Sequence, residues 1–224
     1  MPFISELENT FQENSHAENG FAMAKYMKNK FTFFGIKTPE RRSLFTVIWK
    51  KNKTEVTANA RAIAVLLFEK KEREFHYCAI EILIKELKGK YQYGDIELIK
   101  KLITTHSWWD SVDTISKYIL GQYLVEFPKS IHLIVTEFSN SENMWLNRSA
   151  ILFQLGYKTK TNFDLLKKVC LQHQDSSEFF IQKAIGWSLR EYAKTNPFDV
   201  EKFVNSETLK PLSKKEALKN LRNA

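Results

Sequence analysis

Apolar residues recur every three or four positions through almost the whole chain, which is the spacing of helices that bury one side. Strand-like alternation is scarce, and first-turn prolines are expected at Pro39, Pro128 and Pro197. The fold class is therefore predicted to be all-α. Helices are predicted over about 3–13, 17–29, 39–51, 54–69, 72–88, 94–105, 109–126, 128–138, 144–156, 162–173, 177–195, 197–205 and 213–222, the last with a capping box formed by Ser213 and Glu216.

A repeat underlies this pattern. The pairs Ala79-Ile80, Thr114-Ile115, Ala150-Ile151 and Ala184-Ile185 follow one another at intervals of 35, 36 and 34 residues. Such a period is typical of stacked helical hairpins. We therefore expect a HEAT-like or armadillo-like α-solenoid of antiparallel helix pairs with a concave face. No linker rich in Ser, Gly or Pro divides the chain, so residues 1–224 are expected to form a single domain.

Superposing the repeats on one helical wheel separates two faces. The recurring pair and the positions three before and four after it form the side that we expect to be buried, with Leu83 and Tyr118 as examples. Positions five, two and one before the pair, and three and six after it, fall on the opposite side. Plain Lys and Glu are usual on such a side. Here it carries Trp109, Asp113, Arg148, Lys183, Trp187 and Arg190.

Composition narrows the function classes. The net charge of +8 and the isoelectric point of about 9.3 favour a polyanionic partner, although many ordinary proteins are equally basic. Cys78 and Cys170 lack metal-ligand spacing, the five histidines are scattered, and no Gly-rich phosphate loop or Ser-His-Asp pattern stands out. We expect no metal and no cofactor. Without a secretion signal or a membrane-length apolar run, a soluble cytosolic protein is expected.

Trp109 and Asp113 lie four positions apart, so their side chains project to one side of a helix. An indole face and a carboxylate together attract a cationic ligand. The alternative is a buried tryptophan beside an aspartate that caps the helix or forms a salt bridge. Trp108 faces about 100° away and is expected to pack in the core.

Lys183, Trp187, Arg190 and Lys194 follow helical spacing and form a cationic stripe that contains one indole. Binding of phosphate groups beside a stacking aromatic side chain would account for this stripe. The alternative is that Arg190 and Lys194 pair with local carboxylates.

Arg148 follows Asp113 and precedes Trp187 in the order of the repeats. Its guanidinium is suited to hold a phosphate with two parallel hydrogen bonds. An ion pair with Asp113 is the alternative, and the two roles are compatible. A basic tail is either a further grip on DNA or a solvated segment; it contains Lys210, Lys214, Lys215, Lys219 and Arg222.

These residues stand within longer motifs, and on those motifs the chain resembles the AlkD-like family of bacterial DNA alkylation repair glycosylases, which are built from HEAT-like repeats. The resemblance spans nearly the whole length. It is carried by Tyr26-Met-Lys-Asn, Thr38-Pro-Glu-Arg-Arg, Ser107-Trp-Trp-Asp-Ser-Val-Asp, Trp145-Leu-Asn-Arg-Ser-Ala-Ile-Leu-Phe-Gln-Leu and Phe179-Phe-Ile-Gln-Lys-Ala-Ile-Gly-Trp.

The resemblance implies a monofunctional glycosylase that releases cationic N3- and N7-alkylated purines, such as 3-methyladenine and 7-methylguanine, from double-stranded DNA. It implies that the base is not flipped into a pocket, and that no metal or cofactor takes part. A monomer in the bacterial cytoplasm, associated with the nucleoid, is expected. Catalytic roles carry over to Asp113, Trp109 and Trp187, and DNA contacts to Arg148 and Tyr26; the residue pattern adds Lys183, Arg190, Lys194 and Phe179 as DNA-binding residues.

Two other classes of function stay open. One is a catalytically inactive HEAT-like protein that binds damaged or structured DNA, against which the presence of Asp113 counts. The other is a solenoid that binds proteins, as such folds often do. The cationic stripe with its indole favours nucleic acid over that class.

Overall fold

The computed structural model describes residues 1–219 and 221, so Arg222 of the basic tail lies outside the described residues. Helices and their connections make up this part of the chain, and its one β contact is an isolated parallel bridge between Thr32 and Glu72. Among the same residues, no helix combines the length and apolarity needed to cross a membrane. The predicted all-α class is confirmed.

The helices fall into two compact units, Met1–Tyr91 and Gln92–Ala224. A single domain over 1–224 stays a prediction. In the first unit the helices are α1 (Pro2–Glu13), α2 (Ala17–Tyr26), α3 (Thr38–Lys51), α4 (Lys53–Ala58), α5 (Ala60–Phe68) and α6 (Arg73–Glu86). In the second they are α7 (Asp95–Thr104), α8 (Trp109–Ile115), α9 (Gly121–Glu126), α10 (Ile131–Ser139), α11 (Met144–Leu152), α12 (Phe163–Gln172), α13 (Phe179–Ala193), α14 (Pro197–Ser206) and α15 (Pro211–Ala217).

Neighbouring helices pack in pairs, as the repeat predicts. In the first unit α5 packs on α6, and in the second α10 packs on α11 and α13 on α14. Helix α11 also contacts α8 and α13, so one helix from each of three successive repeats meets its neighbour in the next. This pairing agrees with the predicted α-solenoid class. Pro39 and Pro197 stand in the first turns of α3 and α14, and Pro128 begins a short 3₁₀ turn.

The first unit buries a carboxylate where the wheel predicts an exposed face. Glu74, five positions before the Ala79-Ile80 pair, is fully buried. Its carboxylate accepts hydrogen bonds from the backbone N–H groups of Phe34, Gly35 and Ile36 at 3.2, 2.9 and 3.2 Å. The segment before α3 therefore covers this side of α6. Gly35 has a φ of +89°, and a Cβ there would overlap the carbonyl oxygen of His16, so the close turn requires glycine.

A π-helical turn at Ser116–Leu120 joins α8 to α9 and interrupts the regular α-helical spacing on which the helical wheel is based. Its wider hydrogen-bonding pattern inserts one residue, which rotates the following side chains by about 100°. Tyr118, predicted to be buried, is 49% exposed, and Ile119 and Leu120 take the buried positions instead. The prediction for Tyr118 is wrong because a regular wheel assumes an uninterrupted α-helix.

The predicted capping box of the last helix is also wrong. Helix α15 begins at Pro211, so Ser213 lies inside it, and its hydroxyl donates to the carbonyl oxygen of Gln182 on α13 at 3.1 Å. Gly186 makes this close packing possible. A Cβ at Gly186 would overlap Cβ of Glu216 and lie 2.8 Å from the carbonyl oxygen of Ser213. The absence of a side chain there lets α15 lie directly on α13.

Replacing Gly186 with alanine is therefore expected to push α15 away from α13. We predict a loss of about 1–3 kcal/mol of unfolding free energy, the usual cost of overpacking a core, measured by urea unfolding. Gly94→Ala is the matched control, because a Cβ at Gly94 would meet no atom within 4 Å. Equal stability of the two variants would contradict the proposed packing role of Gly186.

Candidate functional site

Asp113 on α8 and Arg148 on α11 form a two-pronged ion pair. The Nε atom of Arg148 donates to Oδ1 of Asp113 at 2.7 Å, and Nη2 donates to Oδ2 at 2.9 Å. The third nitrogen, Nη1, donates to the carbonyl oxygen of Phe180 on α13. This parallel arrangement is the strongest way for a guanidinium to hold a carboxylate. One guanidinium thus links three helices.

The pair is enclosed by its neighbours. Arg148 is 4% exposed, and 14% of the Asp113 side-chain surface is accessible. The placement of Arg148 on the exposed side of the wheel is therefore wrong, because α13 covers the guanidinium. The ion pair with Asp113, one of the two alternatives drawn from the sequence, is confirmed. A contact between Arg148 and phosphate stays a prediction.

Two opposing effects act on the carboxyl group of Asp113. Burial raises its pKa above the usual 3.8, and the negative charge of Asp110 adds to this. The hydrogen bonds and positive charge of Arg148 lower the pKa, but the net direction is upward. Asp113 is thus a desolvated carboxylate whose ionisation is favoured by its guanidinium partner. A charge in such an environment acts strongly on any charge that develops nearby.

A second contact, made by the residue directly after Arg148 on α11, supports the ion pair. The hydroxyl of Ser116, in the π-helical turn, donates to the hydroxyl oxygen of Ser149 at 2.9 Å. Ser149 follows Arg148 directly, and Ser116 lies three residues after Asp113. Both serines are fully buried. The segment formed by α8 and its π-helical turn is therefore joined to α11 by two neighbouring contacts, the Asp113–Arg148 ion pair and the Ser116–Ser149 hydrogen bond. The hydrophobic pattern did not identify these serines, because a small hydroxyl side chain does not disturb it.

An aromatic cluster borders the ion pair, formed by Trp108, Trp145 and Phe180. The ring centres of Trp108 and Trp145 lie 5.8 Å apart, and each lies 5.1 Å from that of Phe180. The Phe180 ring also lies 5.8 Å from Cζ of Arg148. Trp108 packs as expected but stays partly exposed, so it is not a fully buried core residue. Phe179 extends the cluster outward, 5.4 Å from Phe180 and 57% exposed.

The cationic stripe on α13 is paired with carboxylates. Nζ of Lys183 lies 2.9 Å from Oε1 of Glu216, and Nη1 of Arg190 lies 2.6 Å from Oε2 of the same carboxylate. Lys194 pairs with Glu191 at 2.6 Å. The alternative of local pairing is thus confirmed for Lys194, whereas the carboxylate that pairs with Arg190 lies on α15 and is distant in the sequence. The sequence pattern did not identify Glu216 as the partner of Arg190. Glu216 lies 26 residues beyond Arg190 in the chain, and it matched a capping pattern.

The remaining candidate side chains are aromatic. Trp109 opens α8 one turn before Asp113, and Trp187 lies on α13 between Lys183 and Arg190; both indoles are partly exposed. Tyr26 ends α2 in the first unit and is 69% exposed. Catalytic roles for Trp109 and Trp187 and a DNA contact for Tyr26 stay predictions.

Within the part of the chain that the structure describes, no group of three or more His, Cys, Asp or Glu side chains is arranged to hold a metal ion.

The structure thus defines an all-α, solenoid-like protein that encloses a carboxylate–guanidinium pair, with indoles on the helices that carry this pair. Residues 7–221 match the model of a protein family described as DNA alkylation repair enzyme. The chain belongs to this family of DNA alkylation repair enzymes.

A solved structure is similar over nearly the same length. It is described as a predicted DNA alkylation repair enzyme from Enterococcus faecalis and is 36% identical in sequence. The match covers 94% of this chain and 98% of that chain, with a TM-score of 0.85. Comparison with the curated proteins gives no match.

Replacing Arg148 with alanine leaves Asp113 enclosed without its guanidinium. We predict a loss of about 3–5 kcal/mol of unfolding free energy at neutral pH, the usual cost of leaving one partner of a buried pair. The pKa of Asp113 should rise further, since its main lowering influence is gone. A raised folded-state pKa means that stability is lost as pH rises through that pKa. The variant should therefore regain part of its stability in acid.

Urea unfolding at neutral and mildly acidic pH measures this effect. Arg42→Ala is the control, because 63% of the Arg42 side-chain surface is exposed and its partner Glu81 also pairs with Arg41. A loss below about 1 kcal/mol is expected there. Equal losses in both variants, or a loss in Arg148→Ala that grows in acid, would contradict the role assigned to the pair.

Proposed function

We propose that the protein is a monofunctional DNA glycosylase that hydrolyses the N-glycosidic bond of cationic N3- and N7-alkylated purines in duplex DNA. The observation that supports this most directly is the desolvated carboxylate of Asp113, held by Arg148 and preceded one turn earlier by Trp109. Family membership makes DNA carrying alkylation damage the expected substrate. We expect the enzyme to act as a monomer on DNA in the bacterial cytoplasm.

The chemistry of the substrate explains why one carboxylate is enough. An alkylated purine such as 3-methyladenine or 7-methylguanine carries a positive charge, so it leaves with the electron pair of the glycosidic bond and becomes neutral. No general acid has to protonate it. Positive charge then develops at C1′ of the deoxyribose, where water attacks and later loses a proton. The carboxylate of Asp113 stabilises that charge and orients the water.

We propose that the aromatic side chains interact with the sugar and the damaged base. The faces of Trp109 and Trp187 carry negative potential, which attracts the positive charge of the lesion and of the transition state. Their planar surfaces also exclude water from one side of the deoxyribose. We propose that they pack against the sugar, with the base remaining in the duplex as the family resemblance implies.

We propose that other exposed or basic residues of the chain contact the DNA backbone. Tyr26 and Phe179 expose large aromatic surfaces, suited to contact with sugar and base edges. Lys183, Arg190 and Lys194 provide positive charge for phosphates. Since Arg148 is enclosed, we propose that its main contribution to binding is to hold Asp113, and that any phosphate contact uses the N–H groups left over from that pair.

Replacing Asp113 with asparagine is expected to reduce the release of 7-methylguanine from duplex DNA by about 100-fold or more, because an electrostatic stabiliser of the transition state is lost. DNA binding should be retained. Asp164→Asn removes the same charge from a side chain that is 92% exposed on α12 and should keep full activity. Released base is measured by chromatography, and binding by fluorescence anisotropy.

The outcomes separate the classes of function. Binding of alkylated duplex by the parent protein without base release would favour an inactive DNA-binding protein. Neither binding nor release would favour a scaffold that binds proteins.

The pH dependence of base release gives a second test. Activity should fall as the pH is lowered through the pKa of Asp113, because only the ionised carboxylate stabilises positive charge. Arg148→Lys keeps a cation but loses the second parallel hydrogen bond, so the pKa of Asp113 should rise. The acidic limb of kcat/KM should then move to higher pH. Arg42→Lys is the control and should leave the limb unchanged; an unshifted limb in Arg148→Lys would contradict this role.

A further inference from the structure

The carboxylate of Glu216 on α15 bridges two cations of α13. Oε1 faces the ammonium of Lys183 at 2.9 Å, and Oε2 faces the guanidinium of Arg190 at 2.6 Å. Trp187 lies between these two residues on the same side of the helix. A single anion is therefore held by two positive side chains beside a partly exposed indole.

This arrangement has the geometry of a site for a phosphodiester. Lys183 and Arg190 are two helical turns apart, about 10 Å along the axis, and their long side chains converge on one anion. Each cation engages a different oxygen of the carboxylate. The two non-bridging oxygens of a backbone phosphate offer the same pair of acceptors, and Lys and Arg are the residues that most often contact them. The carboxylate stands where such a phosphate would stand.

Both cations of these ion pairs reach solvent, and 14% of the Glu216 side-chain surface between them is accessible. About 35% of the Lys183 side-chain surface and 22% of that of Arg190 are accessible. Ion pairs whose charged groups reach solvent are weaker than fully enclosed ones. Both cations depress the pKa of Glu216, with the Lys183 hydrogen bond contributing most, so the carboxylate is charged at neutral pH. The three groups together carry one net positive charge, which still attracts an anion.

The main chain at Glu216 need not move for its carboxylate to leave the two cations. Its Cβ lies against Gly186, where any side chain would overlap it, and the hydroxyl of Ser213 ties the same helix to the carbonyl of Gln182. Helix α15 is thus fixed on α13 independently of the ion pairs. The carboxylate is attached by flexible side-chain bonds beyond Cβ and is free to rotate toward water.

We propose that Lys183 and Arg190 form a binding site for a DNA backbone phosphate beside Trp187, and that the carboxylate of Glu216 occupies this site while no DNA is bound. On binding, the phosphate replaces the carboxylate and Glu216 turns to solvent. Glu216 therefore competes with nonspecific DNA for the site. The inference rests on the DNA-binding part of the proposed function and does not depend on base release.

The test compares two variants with the same change in net charge. Glu216→Gln removes the competing carboxylate, and Glu201→Gln removes a charge from the exposed face of α14. Both are titrated with an undamaged DNA duplex by fluorescence anisotropy at low and physiological salt. Glu216→Gln should bind about tenfold more tightly than Glu201→Gln, as expected when two weak ion pairs no longer have to be broken. Equal or weaker binding would overturn the proposal.

A second pair of variants keeps the net charge constant. Aspartate is one methylene shorter than glutamate, so Glu216→Asp cannot bridge both cations and should bind the duplex a few-fold more tightly than the parent. Glu201→Asp should be unchanged. Adding Lys183→Gln to Glu216→Gln should abolish the gain. If Glu216→Asp binds more weakly than the parent, Glu216 serves as a permanent support for the two cations and the proposal fails.

These outcomes are separable from those of the proposed function. Binding by the parent without any advantage for Glu216→Gln over its control rejects the phosphate site alone. Binding with that advantage but without release of alkylated base supports the phosphate site and rejects the glycosylase. If no variant binds DNA, both proposals are rejected.

Discussion

The ion pair between Asp113 and Arg148 is the interaction on which the candidate site depends. Its guanidinium bonds to α8 through the carboxylate and to α13 through the carbonyl of Phe180, while its own backbone belongs to α11. Burial opposes ionisation of Asp113, and Arg148 compensates for it in part. Packing, charge and the position of the carboxylate are therefore coupled. A change at any of the three helices would alter the electrostatics that the proposed chemistry requires.

The π-helical turn and the Ser116–Ser149 hydrogen bond show how the stack accommodates this pair. A regular helix would have rotated Tyr118 inward, whereas the extra residue of the turn places Ile119 and Leu120 in the core. The turn begins three residues after Asp113. Such turns are frequent at functional sites, because they change the direction of side chains without ending the helix. Here the turn allows α8 to present the carboxylate while the rest of the segment remains packed.

Charge in the second unit is arranged in compensated groups. The chain has an excess of basic residues, yet the stripe on α13 meets Glu216 and Glu191, and Arg148 meets Asp113. The positive charge that the sequence predicts for this surface is therefore partly neutralised by carboxylates in the folded protein. If the proposed phosphate site is correct, affinity for DNA depends on exchange of partners as well as on the number of cations. The Asp113–Arg148 pair differs from the group around Glu216 because 5% of its cationic side chain is accessible and two parallel hydrogen bonds join it to one carboxylate.

Local sequence was enough for the all-α class, the repeat and the shared side of Trp109 and Asp113. These features follow from the helical period, which acts over a few neighbouring residues. Sequence did not choose between phosphate and Asp113 as the partner of Arg148, and it missed Glu216 and the burial of Glu74. Those partners lie 26 to 40 residues apart in the chain. Which of them meet depends on how close the helices pack, and that is set by contacts such as α15 against Gly186. The periodic pattern therefore located the candidate residues, whereas packing between helices selected their partners, because electrostatic pairing requires proximity in space.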